Sequence, residues 1–313
     1  MRLAFWKPKA AGRLALSRSD SAVISASVLR EGDKPRVISC EAHALRDDTP
    51  AGWAAVAKES GLARFRNRLL LPVGEYQLLQ VEAPDVPQPE RKQAVAWKLK
   101  DLLSYPVEQA TVDVIAIPQG QGTSGRAAYV YAVAARNETL KRYMDDFKTV
   151  GADLEVIDIP ELAQRNIAAL LEEEGRGVAL LTFNDGGGLL TYTAGGELYH
   201  ARSIEIPAQQ LSTTDPERRA HFFERLVLEL QRSLDNFERQ FSHVAVSKLV
   251  IGPMVGQAAL EEYLRENLYV QVASLDLSRV MNIAGVEALE DPVFQAQCLL
   301  TLGAALREEG AAA

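Results

Sequence analysis

The sequence is poor in the residues that staple small or extracellular domains. Only 2 of its 313 residues are cysteine, Cys40 and Cys298, far apart and outside any CxxC. That excludes a disulfide framework and a structural zinc site, and it fits a reducing compartment. Histidine is scarce too. The 4 histidines, His43, His200, His221 and His243, show no metal-ligand spacing, and neither HExxH nor GxSxG occurs. They read as surface or capping residues rather than catalysts. Basic charge is not in excess: 34 Lys and Arg face 42 Asp and Glu, for a net charge of -8. A protein built to coat nucleic acid would carry the opposite balance. Long apolar runs are also missing. The longest, Ala127 to Ala135, falls far short of the ~20 residues of a membrane-spanning helix and reads as a buried strand. The start has Arg2, Lys7 and Lys9 around Phe5 and Trp6 but no continuous apolar stretch, so it reads as a basic terminus, not a secretory signal.

What remains is ordinary globular usage, with 47% hydrophobic and 24% charged residues. Wholesale disorder is excluded, and the length predicts roughly two domains. The pattern predicts strands at Arg13–Leu16 and Ala22–Leu29 with Ser17–Ser21 as their turn, and a third strand at Arg36–Ala44. A helix follows at Pro50–Ser60, capped by Gly61, then strands at Arg68–Leu71 and Tyr76–Glu82. Residues 90 to 103 predict a helix with Val95, Leu99, Leu102 and Leu103 on one face, ended by Pro106. Trp97 lies off that face, as a core residue or an exposed anchor. Strands at Thr111–Ile117 and Ala127–Ala135 flank the glycine-rich loop Gln119–Gly125. Asn137 is expected to cap the next helix, which Gly151 ends. A strand at Leu154–Ile157 and a helix from Pro160 to Glu174 lead to Glu172–Gly177, the expected boundary between halves.

The second half restarts with strands at Val178–Phe183, Leu189–Thr193 and Leu198–Ile206, with Gly195 and Gly196 turning between the last two. The longest helix is predicted at Pro216–Phe241, capped by Asp215 or by Thr214 with Glu217. Lys248–Ile251, Gly256–Asn267, Val270–Ala273 and a last helix from Asp291–Pro292 to about Arg307 complete the order. Both halves open with antiparallel strands, which hints at duplication. Arg64, Arg66 and Arg68 alternate with other residues and read as the polar face of an edge strand. The acidic run Glu172–Glu174 reads as a solvated linker.

The segment Leu226–Phe241, LVLELQRSLDNFERQF, resembles the E-[IL]-x-R-S-L-[DN]-[FY]-[FY]-x-x-Q stretch of the PilM family, the actin-like proteins of type IV pilus assembly. The strand and turn KLVIGPMVG, the helix AALEEYLREN and the terminal LTLGAALR continue the likeness. Val95–Asp113, VAWKLKDLLSYPVEQATVD, is similar to the MshI branch, from mannose-sensitive haemagglutinin (MSHA) pilus biogenesis. The resemblance implies an α/β fold of the actin/hexokinase/Hsp70 type with an extra subdomain. It implies a first lobe over residues 1–175 with that subdomain at about 77–150, a second lobe over 176–291, and a helix at 292–313 returning to the first lobe. It also implies a cytoplasmic protein, peripheral to the inner membrane, that binds the cytoplasmic N-terminal tail of a bitopic membrane partner. That tail would lie against the extra subdomain, bordered by residues within Tyr76–Arg136.

Related ATPases hold Mg-ATP with two Asp-x-Gly turns and a glycine turn against adenosine, so those positions are the candidate cofactor residues. In the first turn Ser17 stands where Asp is expected and Ser19 where Gly is expected, with Asp20 out of register. In the second, Thr182 stands where the carboxylate is expected and Asn184 where Gly is expected, while Asp185, Gly186 and Gly187 come slightly late, and the stretch also reads as a plain hairpin turn. In the third, Gly252 is kept but Pro253 follows it, removing a backbone donor. All three are degraded together, which points to a non-catalytic scaffold. An active ATPase of the same fold and the L-type cytoplasmic component of type II secretion are the alternatives.

Overall fold

The structure is a computed structural model and describes residues 12–19, 21–30, 34–45, 49–120 and 128–308. The basic N-terminal run, Asp20 and most of the Gln119–Gly125 loop lie outside these residues. In chain order the first strands are β1 (Arg13–Arg18), β2 (Ala22–Leu29) and β3 (Arg36–Ala44), followed by helix α1 (Pro50–Ser60) and β4 (Arg66–Leu70). Next come β5 (Tyr76–Glu82), α2 (Gln88–Leu99), β6 (Ala110–Ala116), β7 (Tyr129–Arg136), α3 (Asn137–Thr149), β8 (Asp153–Asp158) and α4 (Pro160–Ala168). The remainder comprises β9 (Gly177–Asn184), β10 (Gly187–Ala194), β11 (Glu197–Ile204), α5 (Ala208–Leu211), α6 (Pro216–Gln240) and β12 (Val246–Ile251). It ends with α7 (Gln257–Asn267), β13 (Gln271–Ser274), α8 (Leu277–Val280) and α9 (Pro292–Ala305).

Two five-stranded sheets share one topology. The first has the order β3-β2-β1-β4-β8 and the second β11-β10-β9-β12-β13. In each, an antiparallel three-strand meander is extended by two strands parallel to its first strand. The central strands are buried on both faces, which is why β9 reads as an unbroken apolar run. Val178 and Leu180 face α9, while Ala179, Leu181 and Phe183 face α6. Helices α4 and α9 pack on each other and run between the sheets, α9 against β1, β2, β4 and β9, and α4 against β9, β10 and β11. Their crossing is close: a Cβ on Gly303 would stand 2.1 Å from the carbonyl oxygen of Ala163.

The third sheet is small, with the order β5-β7-β6 and antiparallel pairs. Helix α2 covers one face, burying Val95 and Leu99 on Val81, Val114, Val130, Ala132 and Ala134. The other face is shared out: Ile115 and Tyr131 join the core of the second sheet, and Ala135 joins that of the first.

Several local expectations are corrected by distant contacts. Ser17 and Arg18 continue β1, so the turn is shorter than Ser17–Ser21. Helix α2 stops at Leu99, well before Pro106, and Leu102 is 55% exposed rather than part of the apolar face. Trp97 is 68% exposed, which makes it a surface residue and not a core one. Asn137 does not cap α3; its side chain accepts from Thr111 Oγ1 at 2.8 Å and donates to the Glu108 carbonyl, tying the helix to β6. Helix α4 ends at Ala168 instead of Glu174, followed by a 3-10 turn. Glu172 leaves the helix because its carboxylate accepts the Gly196 N–H of the β10–β11 hairpin at 3.1 Å. Asp215, not Thr214, caps α6, accepting from the amides of Glu217 and Arg218.

Arg68 is the largest correction. Strand β4 lies inside its sheet, between β1 and β8, and Arg68 is 3% exposed. Its guanidinium donates to the carbonyls of Ala304, Ala305 and Arg307, at and just past the end of α9. Burial and the neighbouring Arg13 pull its pKa down to about 10, so it remains charged at neutral pH.

Candidate functional site

The residues expected to cradle a nucleotide sit around the layer of α4 and α9. Ser17, at the end of β1, hydrogen-bonds Thr301 of α9 at 2.6 Å between hydroxyls. Thr182, at the other expected carboxylate position, donates its hydroxyl to Gln164 Oε1 of α4 at 2.6 Å. Gln164 is itself fully buried, and its amide donates to the carbonyls of Leu180 and Leu189 and to Thr191 Oγ1. Both short hydroxyls are therefore anchored into the central helices, one from each sheet.

Gly252 belongs to the same wall. Its N–H donates to the Leu181 carbonyl at 2.8 Å, and a Cβ there would meet Thr182 Cγ2 at 2.8 Å and Leu299 Cδ2 at 3.3 Å. So the glycine is required by close packing against Thr182 and α9. Its carbonyl and that of Ile251 accept the Gln257 side-chain amide, which turns the chain into α7.

The remaining candidates lie apart from this wall. Ser19 closes its turn on Ala22, donating to its carbonyl and accepting its N–H. Asn184 accepts the Gly186 N–H at 2.8 Å, an Asx turn that occupies an amide a phosphate loop would offer. Gly187 has φ 136°, and a Cβ would stand 2.6 Å from the Ile204 carbonyl oxygen, so β11 crowds it. Asp185 is exposed and accepts from Gln209 at 3.2 Å. These groups do not fit Mg-ATP. Neither hydroxyl position supplies a carboxylate for the metal, and the Gly186 and Gly252 amides are already engaged.

Sequence reasoning missed the charged groups at the start of α4. Asp158 is buried and pairs with Arg307 at 3.0 Å, while its other oxygen accepts the Ile159 N–H. Glu161 is also buried and accepts the Tyr76 hydroxyl at 2.7 Å. Burial pushes the Glu161 carboxyl up, partly offset by the Tyr76 hydrogen bond. The same burial, with Glu161 beside it, pushes the Tyr76 phenol up strongly. Pro160 is a local signal for a helix N-terminus, but nothing local signals these partners.

The small sheet is bolted to the second sheet by Tyr131. Its hydroxyl accepts the Ala201 N–H at 3.0 Å and lies 3.4 Å from His200 Nδ1. Burial and then Arg202 push the His200 pKa down. Nearby, a Cβ on Gly120 would overlap the His243 ring at 2.5 Å, so Gly120 too sits directly on the second half. Among the described residues, no helix is long and apolar enough to cross a membrane.

No family model and no curated protein sequence matches the chain. Solved structures do. One chain of the PilM–PilN type IV pilus biogenesis complex superposes with a TM-score of 0.72 at 19% identity, covering 96% of this chain and 99% of that one. A Bacteroides thetaiotaomicron protein of unknown function with an actin-like ATPase fold gives 0.51 at 11% identity, covering 92% and 95%. The cytoplasmic domain of EpsL, an inner-membrane component of the Vibrio cholerae type II secretion system, gives 0.49 at 15% identity, covering 95% of each. The chain has the actin-like fold.

Proposed function

We propose that this chain is a PilM-type scaffold of type IV pilus assembly, of the MSHA branch, working at the cytoplasmic face of the inner membrane. It holds the cytoplasmic N-terminal tail of a bitopic membrane protein against its small sheet. The observation that carries this reading is the two-way coverage with the pilus complex chain, 96% and 99%, small sheet included. In this reading the chain divides into a first lobe over residues 1–175 holding the small sheet, a second lobe over 176–291, and a closing helix. The cleft is structural rather than catalytic. Ser17 and Thr182, tied to Thr301 and Gln164, support that part, since they spend on packing what an ATPase spends on metal and phosphate.

The test is a titration of purified protein against a fluorescent peptide carrying the N-terminal tail of the bitopic protein encoded beside it. Saturable binding, competed by unlabelled tail, is the expected outcome. Anisotropy that never saturates, at protein concentrations up to hundreds of micromolar, would sink the scaffold reading.

A further inference from the structure

Cys40 and Cys298 are the only cysteines in the 313 residues, and they stand far apart along the chain. The fold brings them together. Cys40 lies on β3 and Cys298 on α9, both are buried, and both belong to one apolar cluster with Ala26, Val37, Leu299 and Leu302. The two thiols are hydrogen-bonded to each other. A β-bulge sets this up. Strands β2 and β3 pair Ala26 with Cys40 and Val28 with Val37, so Ile38 is left unpaired and is 47% exposed. Val37 and Cys40, three residues apart, then both face α9.

The cluster is shared by the two large sheets. Ala26 and Cys40 come from the first, Val178, Leu180 and Val250 from the second, and Cys298 and Leu302 from the helix between them. At rest the pair is inert. Cys40 beside it, and then burial, push the Cys298 thiol well up, so it is held protonated. A reducing environment leaves such thiols as they are. Two sulfurs in contact, however, need only a two-electron oxidant to join. Met281 of the same cluster also lines a surface recess of about 720 Å³, which gives a small neutral oxidant an approach from that side.

We propose that Cys40 and Cys298 form a redox latch, in which hydrogen peroxide links them as a disulfide that fastens α9 to β3. Cys40, on the outer strand of its sheet and 3% exposed against 0% for Cys298, reacts first. Its sulfur gives up its proton and attacks one peroxide oxygen. The O–O bond breaks, water leaves, and a sulfenic acid remains on Cys40. The Cys298 sulfur then attacks the Cys40 sulfur. The S–S bond forms, and the sulfenic oxygen leaves as water with the Cys298 proton. Two electrons pass from the two sulfurs to one peroxide, which ends as two waters. Exchange with a small dithiol reduces the bond and opens the latch. A latched α9 no longer shifts on the first sheet, and because it also packs on β9, the angle between the sheets is held with it. The latch works in the same way whatever the chain scaffolds.

The test treats the reduced, purified protein with hydrogen peroxide, blocks remaining thiols by alkylation, and maps the unreduced digest by mass spectrometry. The expected product is a linked Cys40–Cys298 peptide from monomeric chain, with the intact mass lower by two hydrogens and restored by dithiothreitol. The bond closes most of the chain into one loop, so the melting temperature should rise by about 3–6 °C, the usual disulfide effect for a chain of this size. Cys40→Ala and Cys298→Ala should each abolish that rise. A native chain that keeps both thiols through millimolar peroxide overturns the proposal. So does one that gives only chain-to-chain dimers, sulfinic acid at either cysteine, or sulfoxide at Met281 in place of the link. A linked chain that melts no higher than the reduced one, or a link that forms only in denaturant, overturns it as well.

Discussion

Replacing Gly303 by alanine pits two effects of opposite sign against each other. Alanine in a helix interior is favoured over glycine by about 1 kcal/mol. Here, however, the new Cβ would stand 2.1 Å from the Ala163 carbonyl oxygen and 2.7 Å from its carbon. Ordinary contact begins near 3.4 Å, so α4 and α9 would have to separate by more than an ångström. Backbone cannot swing away as a long side chain would. Overpacking of this kind costs about 1–3 kcal/mol. Separation also stretches the bond from Asn166 to the Gly303 carbonyl, now 2.9 Å and buried, whose loss costs about 1–3 kcal/mol more. Set against the propensity gain, the net destabilisation is about 1–5 kcal/mol. With an unfolding entropy near 2.1 cal/mol/K per residue, a chain of 313 residues loses about 1.5 °C of melting temperature per kcal/mol. Gly303→Ala should therefore melt roughly 2–8 °C lower, measured by calorimetry or by the denaturant midpoint. Gly285→Ala is the control, because a Cβ there meets nothing within 4 Å. A neutral or stabilising Gly303→Ala would refute the claim that the two helices touch at backbone distance.

Arg307→Ala should cost about 3–5 kcal/mol, because it strands the buried Asp158 carboxylate; pairing it with Asp158→Asn should recover much of that in an equilibrium unfolding series. Thermal melts with millimolar Mg-ATP or Mg-ADP should show no shift. A ligand at 100 times its dissociation constant would stabilise by about 2.7 kcal/mol, near 4 °C here, so binding would be plain to see. Tyr131→Phe removes the acceptor of the Ala201 N–H and should cost about 1–3 kcal/mol in the same unfolding series. His200 titrates lower when folded than when unfolded, so below the ordinary histidine value near 6.5 the unfolded chain takes up a proton that the folded one resists. Stability should then drop as the pH falls below about 6.5, and His200→Gln should flatten that part of the profile; an unchanged slope in the variant would assign the loss elsewhere.

What could be read locally was read to the residue. Helix Pro50–Ser60 matches because Pro50 and Gly61 mark its ends with their own backbone preferences; the structure adds a cap at Thr49, whose hydroxyl accepts the Gly52 N–H. Strands β2, β3 and β5 match because alternation and flanking turns bound them. The errors fall where a remote group decides. Ser17 stays in β1 because Thr301, 284 residues on, takes its hydroxyl. Arg68 looked like a surface cation because the carbonyls that receive it belong to residues 304 to 307. The site behaved likewise. The three loops were located as segments, but the use made of Ser17, Thr182 and Gly252 depends on α4 and α9, which no spacing along the chain brings to them.

The small sheet has a mechanical consequence. It contributes Ile115 and Tyr131 to one core and Ala135 to the other, so it lies across both large sheets as a splint lies across a joint. Two bodies joined by a pair of crossing helices and, at one edge, by the bridge between Arg36 and Asn282 could rock about those contacts. A third body fastened to both opposes the rocking, and it does so at a lever arm well away from the helices. Anything that presses on the small sheet is therefore felt as a torque between the halves, and any change of angle between the halves must first loosen Tyr131 from Ala201.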